Sequence, residues 1–432
     1  MNYYFVANIC KYLMKIFLPV LFLFVGLFCN AQSSHKLKGS FYFYHDYFAY
    51  INFGVQQDGK IVFCGSIGRD DDADIFVSRY NFDGTIDETF GNKGMLFFDI
   101  AGYKDVPVFF KVLPNDEMLI GVIADNAYSY RTLRGSLVLI KLLADGGVDM
   151  SFGQSGKFFE RPNRHYKGLM AGATQPNGNI FLLRRYDSRN QFDVGITSIT
   201  AAGETNTGFG NNGNVSASAR KFDDNGIDIY AEATGNLLIT GQSHTGPSDV
   251  AISAGHRPVD IYLMRFTSYG DLDNSFGNNG KVITGFNSGN NFPSKIAVDE
   301  RGRIRIAGTV STDRQHGKWF VYGFLPNGSI DSAFGKKGVL GAKNAGNAIA
   351  SDIAFADSGQ FFIAGHNIKL GQPHVFISKI KEDGKLDTSF AKTGIIQLSH
   401  ISKSPQIVVM PDGRVILGAM STIERRNYFV VT

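Results

Sequence analysis

Residues 82–94 read "FDGTIDETFGNKG", a glycine-rich stretch whose acids could serve either chemistry or shape. Relatives of it follow along the chain as "ADGGVDMSFGQSG", "AAGETNTGFGNNG", "SYGDLDNSFGNNG", "PNGSIDSAFGKKG" and "EDGKLDTSFAKTG". A pattern met repeatedly in one chain is a building element, because a catalytic centre needs its groups only once. Phe90, Phe152, Phe209, Phe276, Phe334 and Phe390 hold the same place in every copy, each at a fixed distance after a turn glycine. Spacing is constant inside the motif and variable between copies, so insertions fall in the loops that join them.

Around each copy lie four strand-like runs. In the first unit these are Ile51 to Val55, Ile61 to Gly65, Ile75 to Tyr80 and Met95 to Phe98. The first two are joined at Gln57-Asp58-Gly59, the kind of turn that supplies the positive-φ position a tight hairpin needs. Turns of this kind recur at Gly178, Gly235, Gly302, Gly359 and Gly413, and the second unit uses Asn115-Asp116 instead. Four antiparallel strands in about 60 residues, repeated in tandem without a helical period, describe a β-propeller blade. Seven hairpin turns against six full signatures imply that the last unit lacks its outer strand. Ser40 to His45, in "KGSFYFYHD", is in phase to supply it. The expected fold is therefore all-β, a seven-bladed β-propeller of four-stranded antiparallel blades, the ring closed by the N-terminal strand so that no edge stays open.

These residues, from the hairpin turns to F-G-x-x-G, resemble the delta-60 type β-propeller repeat found in secreted bacterial proteins of unknown function. The resemblance covers about residues 38–432 and implies a fold without implying an activity.

Lys11 and Lys15 precede an apolar run from Ile16 to Phe28, followed by "CNAQSS". This reads as a signal peptide over residues 1–31, cleaved between Ala31 and Gln32, ahead of a propeller over 38–432. The apolar run is too short to span a bilayer, so no transmembrane segment is expected. Phe28 is bulky for lipoprotein processing at Cys29, which disfavours lipidation. Removing two lysines and no acid takes the formal charge from +4 to +4 − 2 = +2, which offers no electrostatic case for nucleic acid. Cys10 and Cys29 leave with the leader, so Cys64 has no intramolecular partner and, within Ile61-Val62-Phe63-Cys64, reads as a small core residue.

The acids of the signature are best explained as turn-formers and pair-formers. Arg79, Lys141, Arg265 and Lys379 are matched across the hairpin by Asp87, Asp149, Asp273 and Asp387, and in the third unit both charges vanish together, as Ser198 and Asn206. The fifth unit breaks the rule with Asp331 opposite Gly323. The phenylalanines read as wedges between neighbouring blades. Asp70, Asp71, Asp72 and Asp74 form the densest acidic stretch, but it lacks the glycine and terminal glutamate of an EF-hand, and a solvated loop is the favoured reading over calcium. The histidines show no zinc-like spacing, and no nucleophile elbow, P-loop or dinucleotide fingerprint occurs in a strand-to-helix context. No metal and no cofactor are expected.

Function in such a ring falls to the loops between second and third strands and to those joining successive blades. The longest is Ser243 to Pro258; the others run Ser66 to Asp74, Ala124 to Arg134, Arg185 to Phe192, Ser311 to Gly317 and Asn367 to Gln372. Candidate ligand-binding residues are Arg161, Arg164, His165 and Lys167 in one joining loop, with His244 and His256 in the longest insertion. The expected function is a secreted, monomeric binding or scaffold protein taking a protein or an extracellular carbohydrate on this face. The alternative is a propeller-fold glycan hydrolase or lyase with its site at the central channel mouth.

Overall fold

The computed structural model describes residues 41–44, 48–69, 72–100, 102, 104–124, 136–160, 165–188, 191–246, 258–286, 289–311, 317–341, 347–356, 359–369, 372–399, 403–423 and 426–431. The proposed leader, Asp70, Asp71, Arg161, Arg164 and His256 lie outside them. Among the described residues no helix is long and apolar enough to cross a membrane.

The protein is an all-β propeller with four-stranded antiparallel blades. Six blades are runs of four consecutive strands. Blade 1 comprises Phe48–Val55, Ile61–Arg69, Asp72–Tyr80 and Met95–Phe98; blade 2 comprises Asp105–Val112, Met118–Ala124, Ser136–Leu142 and Lys157–Phe159. Blade 3 is Tyr166–Thr174, Ile180–Asp187, Phe192–Ile199 and Asn214–Ala217; blade 4 is Asp224–Ala231, Leu237–His244, Val259–Phe266 and Lys281–Thr284. Blade 5 holds Asn290–Val298, Ile304–Ser311, Gly317–Phe324 and Val339–Gly341, and blade 6 Ala348–Phe355, Phe361–Lys369, Gln372–Ile380 and Ile395–Ser399. Six such blades is one fewer than the hairpin turns suggested. The remaining sheet is composite: Lys403–Val409, Val415–Ile423 and Arg426–Val431 come from the C-terminal end, and Phe41–Tyr44 pairs antiparallel with the last of them.

The loops between second and third strands are shorter than the sequence suggested in blades 1, 3 and 6. In blade 1 the ladder continues to Arg69 opposite Asp72, so most of Ser66 to Asp74 is strand. In blade 3 it continues to Asp187 opposite Phe192. The backbone groups there find ladder partners, which polar side chains do not forbid on a ribbon reaching past the core.

Hydrophobic clusters lie between neighbouring sheets, each fed by both. Val62, Val77 and Phe90 of blade 1 pack with Ile120 and Ile140 of blade 2, and Ile51 and Phe63 of blade 1 also pack with Met410 and Ile416 of the composite sheet. Sheet-to-sheet burial of this kind is the main stabilising term, at roughly 25 cal/mol per Å² of apolar surface removed from water. Cys64 is fully buried in the same layer, and burial holds its thiol far above the ordinary range.

The signature locks each blade to the next. Phe90, Phe152, Phe209, Phe276 and Phe334 are essentially inaccessible. The glycine after each donates its amide to the next blade's turn: Gly91 to Asp145 O at 3.0 Å, Gly153 to Ala202 O at 2.7 Å and Gly277 to Asn327 O at 2.8 Å. Gly146, at φ 93°, shows why that turn takes glycine, since a Cβ there would stand 2.8 Å from the Phe90 ring. The acid inside the signature shapes its own turn, Asp87 Oδ1 accepting from the Thr89 amide at 3.1 Å and its hydroxyl at 2.6 Å.

The charge pairs form across the hairpins. Arg79 Nε meets Asp87 at 2.8 Å, Lys141 meets Asp149 at 2.9 Å, Arg265 meets Asp273 at 2.8 Å and Lys379 meets Asp387 at 3.4 Å. In the third blade Asn206 Nδ2 donates to Ser198 Oγ at 3.1 Å, a neutral replacement. Blade 5 resolves its own exception: Asp331 is met at 2.9 Å by Arg305, which reaches over from the second strand, and Arg305 Nη1 sits 3.0 Å from where a Cβ on Gly323 would be. The cation moves one strand sideways, and glycine leaves room for it.

Candidate functional site

The hairpin turns and signatures occupy one end of the molecule, and the ends of the second strands and starts of the first strands occupy the other. Of the candidate residues read from sequence, His165, Lys167 and His244 belong to this second, loop-bearing end.

Blade 3 gathers the densest set. His165 precedes the first strand, and its ring stacks on Tyr186 at a centroid distance of 5.5 Å and an interplanar angle of 25°. Its Nδ1 lies 3.0 Å from Asp187 O, while the Asp187 amide donates to His165 O at 2.7 Å, so the two chain segments are tied at both levels. Arg185 lays its guanidinium over the Phe192 ring at 4.1 Å and pairs with Asp187 at 3.4 Å. Both partners of that pair are partly accessible, so the pair is worth little to stability and leaves charge at the surface. Beneath them Arg184 is 2% exposed, donates Nε to Gly168 O at 2.8 Å and pairs with Glu160. Desolvation pushes the Glu160 carboxyl up in spite of the Arg184 charge.

Of the residues expected from sequence, His165 and Lys167 fall on this segment, with Lys167 directly opposite Arg185 in the ladder. His244 is not part of that stack. It ends the second strand of blade 4, where its amide donates to Asp223 O at 3.0 Å, and Asp223 Oδ1 accepts the Phe192 amide at 3.0 Å. Asp223 thus ties the loop ends of two blades together. Tyr186, Arg185 and Phe192 were missed as binding residues because they read as the ends of a loop, whereas they are ladder positions at the tip of a ribbon. The alternation of aromatic and cationic side chains in "RRYDSRNQF" was the available signal.

A second polar group lies on the innermost strands, which touch one another in succession from blade to blade. Each of these strands carries a bulge, and in blades 4 and 6 and in the composite sheet the residue after it, Asp228, Asp352 or Gln406, points its polar group at the next sheet. Asp228 Oδ2 accepts the Ile296 amide at 3.0 Å, and Asp352 Oδ2 accepts the Ile407 amide at 2.8 Å. Gln406 Nε2 stands 3.3 Å from Asn52 Oδ1, joining the composite sheet to blade 1. Lys295 bridges this belt, 3.1 Å from Asp228, with 45% of its side chain still accessible. Asp228 holds the Lys295 ammonium above its ordinary range, desolvation together with Lys295 lowers that of Lys111, and desolvation lifts the Asp352 carboxyl to about 6. The backbone bonds of Asp228 and Asp352 make them struts first. Their chemistry is limited to what Lys295 and a proton on Asp352 can offer.

A third group is acidic. One oxygen from each of Asp74, Asp99 and Asp105 lies within 4.8 Å of the others, where the third and fourth strands of blade 1 meet the first strand of blade 2. Asp105 is inaccessible, and desolvation, with Asp99 and Asp74 nearby, lifts its carboxyl to about 7.

Residues 56–90 match a β-propeller family described as a domain of unknown function (DUF5122). No curated protein matches. Among solved structures, the fold is similar to a polysaccharide lyase of family PL25, an ulvan lyase bound to -[GlcA(1-4)Rha3S]-, at 11% identity and a TM-score of 0.55, over 89% of this chain and 95% of that one. It is also similar to the polysaccharide lyase Uly1, at 12% identity and a TM-score of 0.54, over 88% of each chain. At these identities the likeness is one of fold.

Proposed function

We propose that this protein is a secreted β-propeller that binds an acidic extracellular polysaccharide on its loop-bearing end, at His165, Tyr186, Arg185 and Phe192. The observation that carries the reading is the stack of His165 on Tyr186 beside Arg185, which rests on Phe192 and remains partly accessible. Flat rings offer the apolar faces of a sugar a surface, and an arginine fork matches the two oxygens of a uronate or the oxygens of a sulfate. Arg161 and Arg164 precede this strand in the sequence and Lys167 lies on it, and all three add positive charge along the chain. In this reading the composite sheet is a seventh blade, with the strand from the N-terminal side closing the ring, and residues 1–31 are the leader.

Affinity electrophoresis against uronate-rich, sulfated and neutral polysaccharides tests the binding reading. Retardation by the acidic polymers, lost in the Arg185→Ala, Tyr186→Ala double variant, supports it; equal retardation of that variant defeats it. Removing residues 38–45 tests closure, which predicts a lower melting temperature and aggregation through the freed edge. An equally stable monomer refutes it. N-terminal sequencing of the exported protein tests cleavage after Ala31.

The second reading is a glycan lyase or hydrolase acting at the channel mouth, favoured by the likeness in fold to polysaccharide lyases over most of the chain. Elimination from a uronate yields an unsaturated sugar, so a rise in ultraviolet absorbance on incubation with the retarded polymer would establish it. New reducing ends without that absorbance would mark a hydrolase, and neither signal leaves binding as the function.

A further inference from the structure

The position held by Asp105 recurs in later blades, and the comparison among copies exposes an atom with no proper partner. Counted back from the hairpin turn, the residues in register are Asp105 in blade 2, Asp224 in blade 4 and Asn291 in blade 5. All three are inaccessible. All three use one oxygen in the same way, accepting the amide of the residue five positions earlier: Ile100 to Asp105 Oδ2 at 2.8 Å, Ala219 to Asp224 Oδ2 at 2.6 Å and Phe286 to Asn291 Oδ1 at 2.8 Å.

They differ at the other atom. Asn291 Nδ2 donates to three backbone carbonyls, Val259 O at 3.0 Å, Gly289 O at 3.1 Å and Phe286 O at 3.3 Å. That environment is made of acceptors, so an N–H belongs there. Asp105 and Asp224, in the same register, carry an oxygen in place of that amide nitrogen, and among the described residues Oδ1 of each is buried without a hydrogen bond. The register counterparts of Val259 and Phe286 beside Asp105 are Ala73 and Ile100. An oxygen turned toward carbonyl oxygens needs a positive species between them.

The surroundings of the two aspartates then separate them. Asp224 lies opposite Ser243 in the ladder, and the Ser218 hydroxyl donates to its Oδ2 at 3.0 Å. Asp105 lies opposite Ala124, with no hydroxyl on that side, and has the carboxylates of Asp74 and Asp99 beside it. Asp99 is exposed and opens the group to solvent, while its Oδ1 accepts the Gly102 amide at 2.7 Å, which fixes its orientation.

From the unpartnered Oδ1 of Asp105 and the two carboxylates beside it, we infer a calcium site between blades 1 and 2, with Asp74, Asp99 and Asp105 as side-chain ligands and the Ala73 and Ile100 carbonyls as backbone ligands. Oxygen-only donors suit a hard cation, and a set of carboxylates and carbonyls in an irregular loop suits calcium better than magnesium, which demands a near-ideal octahedron. The ion would tie the outer strand of blade 1 to the inner strand of blade 2 and so brace one joining loop. Lys157, whose charge acts on Asp105 against the desolvation, is a competing source of positive charge.

The inference is independent of any polysaccharide. The test uses the purified full chain stripped with chelator and titrated with calcium chloride in a calorimeter, with melting followed in parallel. One calcium per chain and a higher melting temperature are expected, with magnesium at the same concentration giving less. Asp105→Asn is the decisive variant, because Asn291 shows that an amide fits this position: it should fold, melt no lower than the calcium-free parent, and bind calcium at least about tenfold more weakly. Asp224→Asn should leave calcium binding unchanged. Absence of calcium heat and of any melting shift in the parent overturns the site, as does undiminished binding by a folded Asp105→Asn, or an equal loss in Asp224→Asn.

Discussion

The two ends of this propeller are built on opposite principles. At the signature end the same atoms meet again and again: an F-G amide to the next blade's turn carbonyl, an acid to its own turn, a cation to that acid. At the loop-bearing end equivalent positions hold different residues, Asp105, Lys167, Asp224, Asn291 and Ala348. The first end sets the angle and spacing of the blades, which must be alike for the sheets to pack. The second is free of that requirement, and side chains there can differ without disturbing the frame.

If the signature end is where stability resides, its deepest charge pair should be the most sensitive point. Arg305 is 1% exposed, meets Asp331 and covers Phe334 at 4.3 Å. Arg305→Leu leaves Asp331 buried without its cation and should cost about 3–5 kcal/mol in chemical unfolding. Adding Gly323→Arg restores the arrangement of blade 1 and should recover part of the loss. Unchanged stability in the single variant would mean that the pair is incidental to the frame.

A smaller effect is expected where one blade's turn receives its neighbour's ring. Gly146→Ala introduces a Cβ at a positive φ and 2.8 Å from Phe90, so the ring must shift or the turn must strain, at about 1–3 kcal/mol. Gly246, at the loop-bearing end, has nothing within 4 Å of such a Cβ among the described residues, so Gly246→Ala should leave the melting temperature alone. Equal responses would erase the distinction between the two ends.

Acid should also act first on the signature. Burial pushes the Asp87 carboxyl up, but the Thr89 hydroxyl and amide, Arg79 and Lys60 together outweigh it and hold it at about 2. A depressed pKa means that the folded state favours the carboxylate, so this contribution is complete above the unfolded value near 3.8 and is lost as pH falls through about 2. The difference is worth roughly 2 kcal/mol for this blade. The Asp87→Asn variant should be less stable than the parent at pH 6 and converge on it near pH 2 in urea titrations. A constant gap between them across that range would dissociate Asp87 from the acid response.

What could be read from sequence follows the same division. The hairpins, the wedge phenylalanines and the Arg79–Asp87 type of pair were legible because repetition acts as an internal alignment, and the joint loss of charge at Ser198 and Asn206 revealed the pairing. The partner of Asp331 was not, because Arg305 lies on another strand and no local spacing points to it. At the loop-bearing end, the acidic run at Asp70 to Asp74 read as a solvated loop, and of it Asp74 joins an acidic group, while Asp70 and Asp71 lie outside the described residues. The group that assembles combines Asp74 with Asp99 and Asp105, separated along the chain by the whole signature. Reading Asp105, Asp224 and Asn291 in phase would have shown a recurring polar position, although only coordinates show which of its atoms lacks a partner.

The smallest stability change and the largest functional one should coincide on blade 3. Tyr186 and Arg185 are partly exposed and sit at the tip of the ribbon, beyond the layer that holds neighbouring sheets together. Truncating either should therefore cost no more than about 1 kcal/mol, much of it from the lost stack on His165 and the lost contact with Phe192. If an acidic polysaccharide lies across this surface, the same substitutions remove its apolar platform and its guanidinium, and affinity should fall by about tenfold or more for each. Arg185→Lys separates the two contributions, since it keeps the charge but not the planar fork: binding that survives in the lysine variant would indicate a general attraction for polyanions, while binding lost in it would indicate a fitted carboxylate or sulfate. Arg414, which lies over Phe82 at 4.4 Å on the hairpin-turn side, supplies the matched control of an arginine on an aromatic ring away from the loops. If Arg414→Ala weakens binding as much as Arg185→Ala does, the ligand does not distinguish the two ends and the loop-face site is wrong.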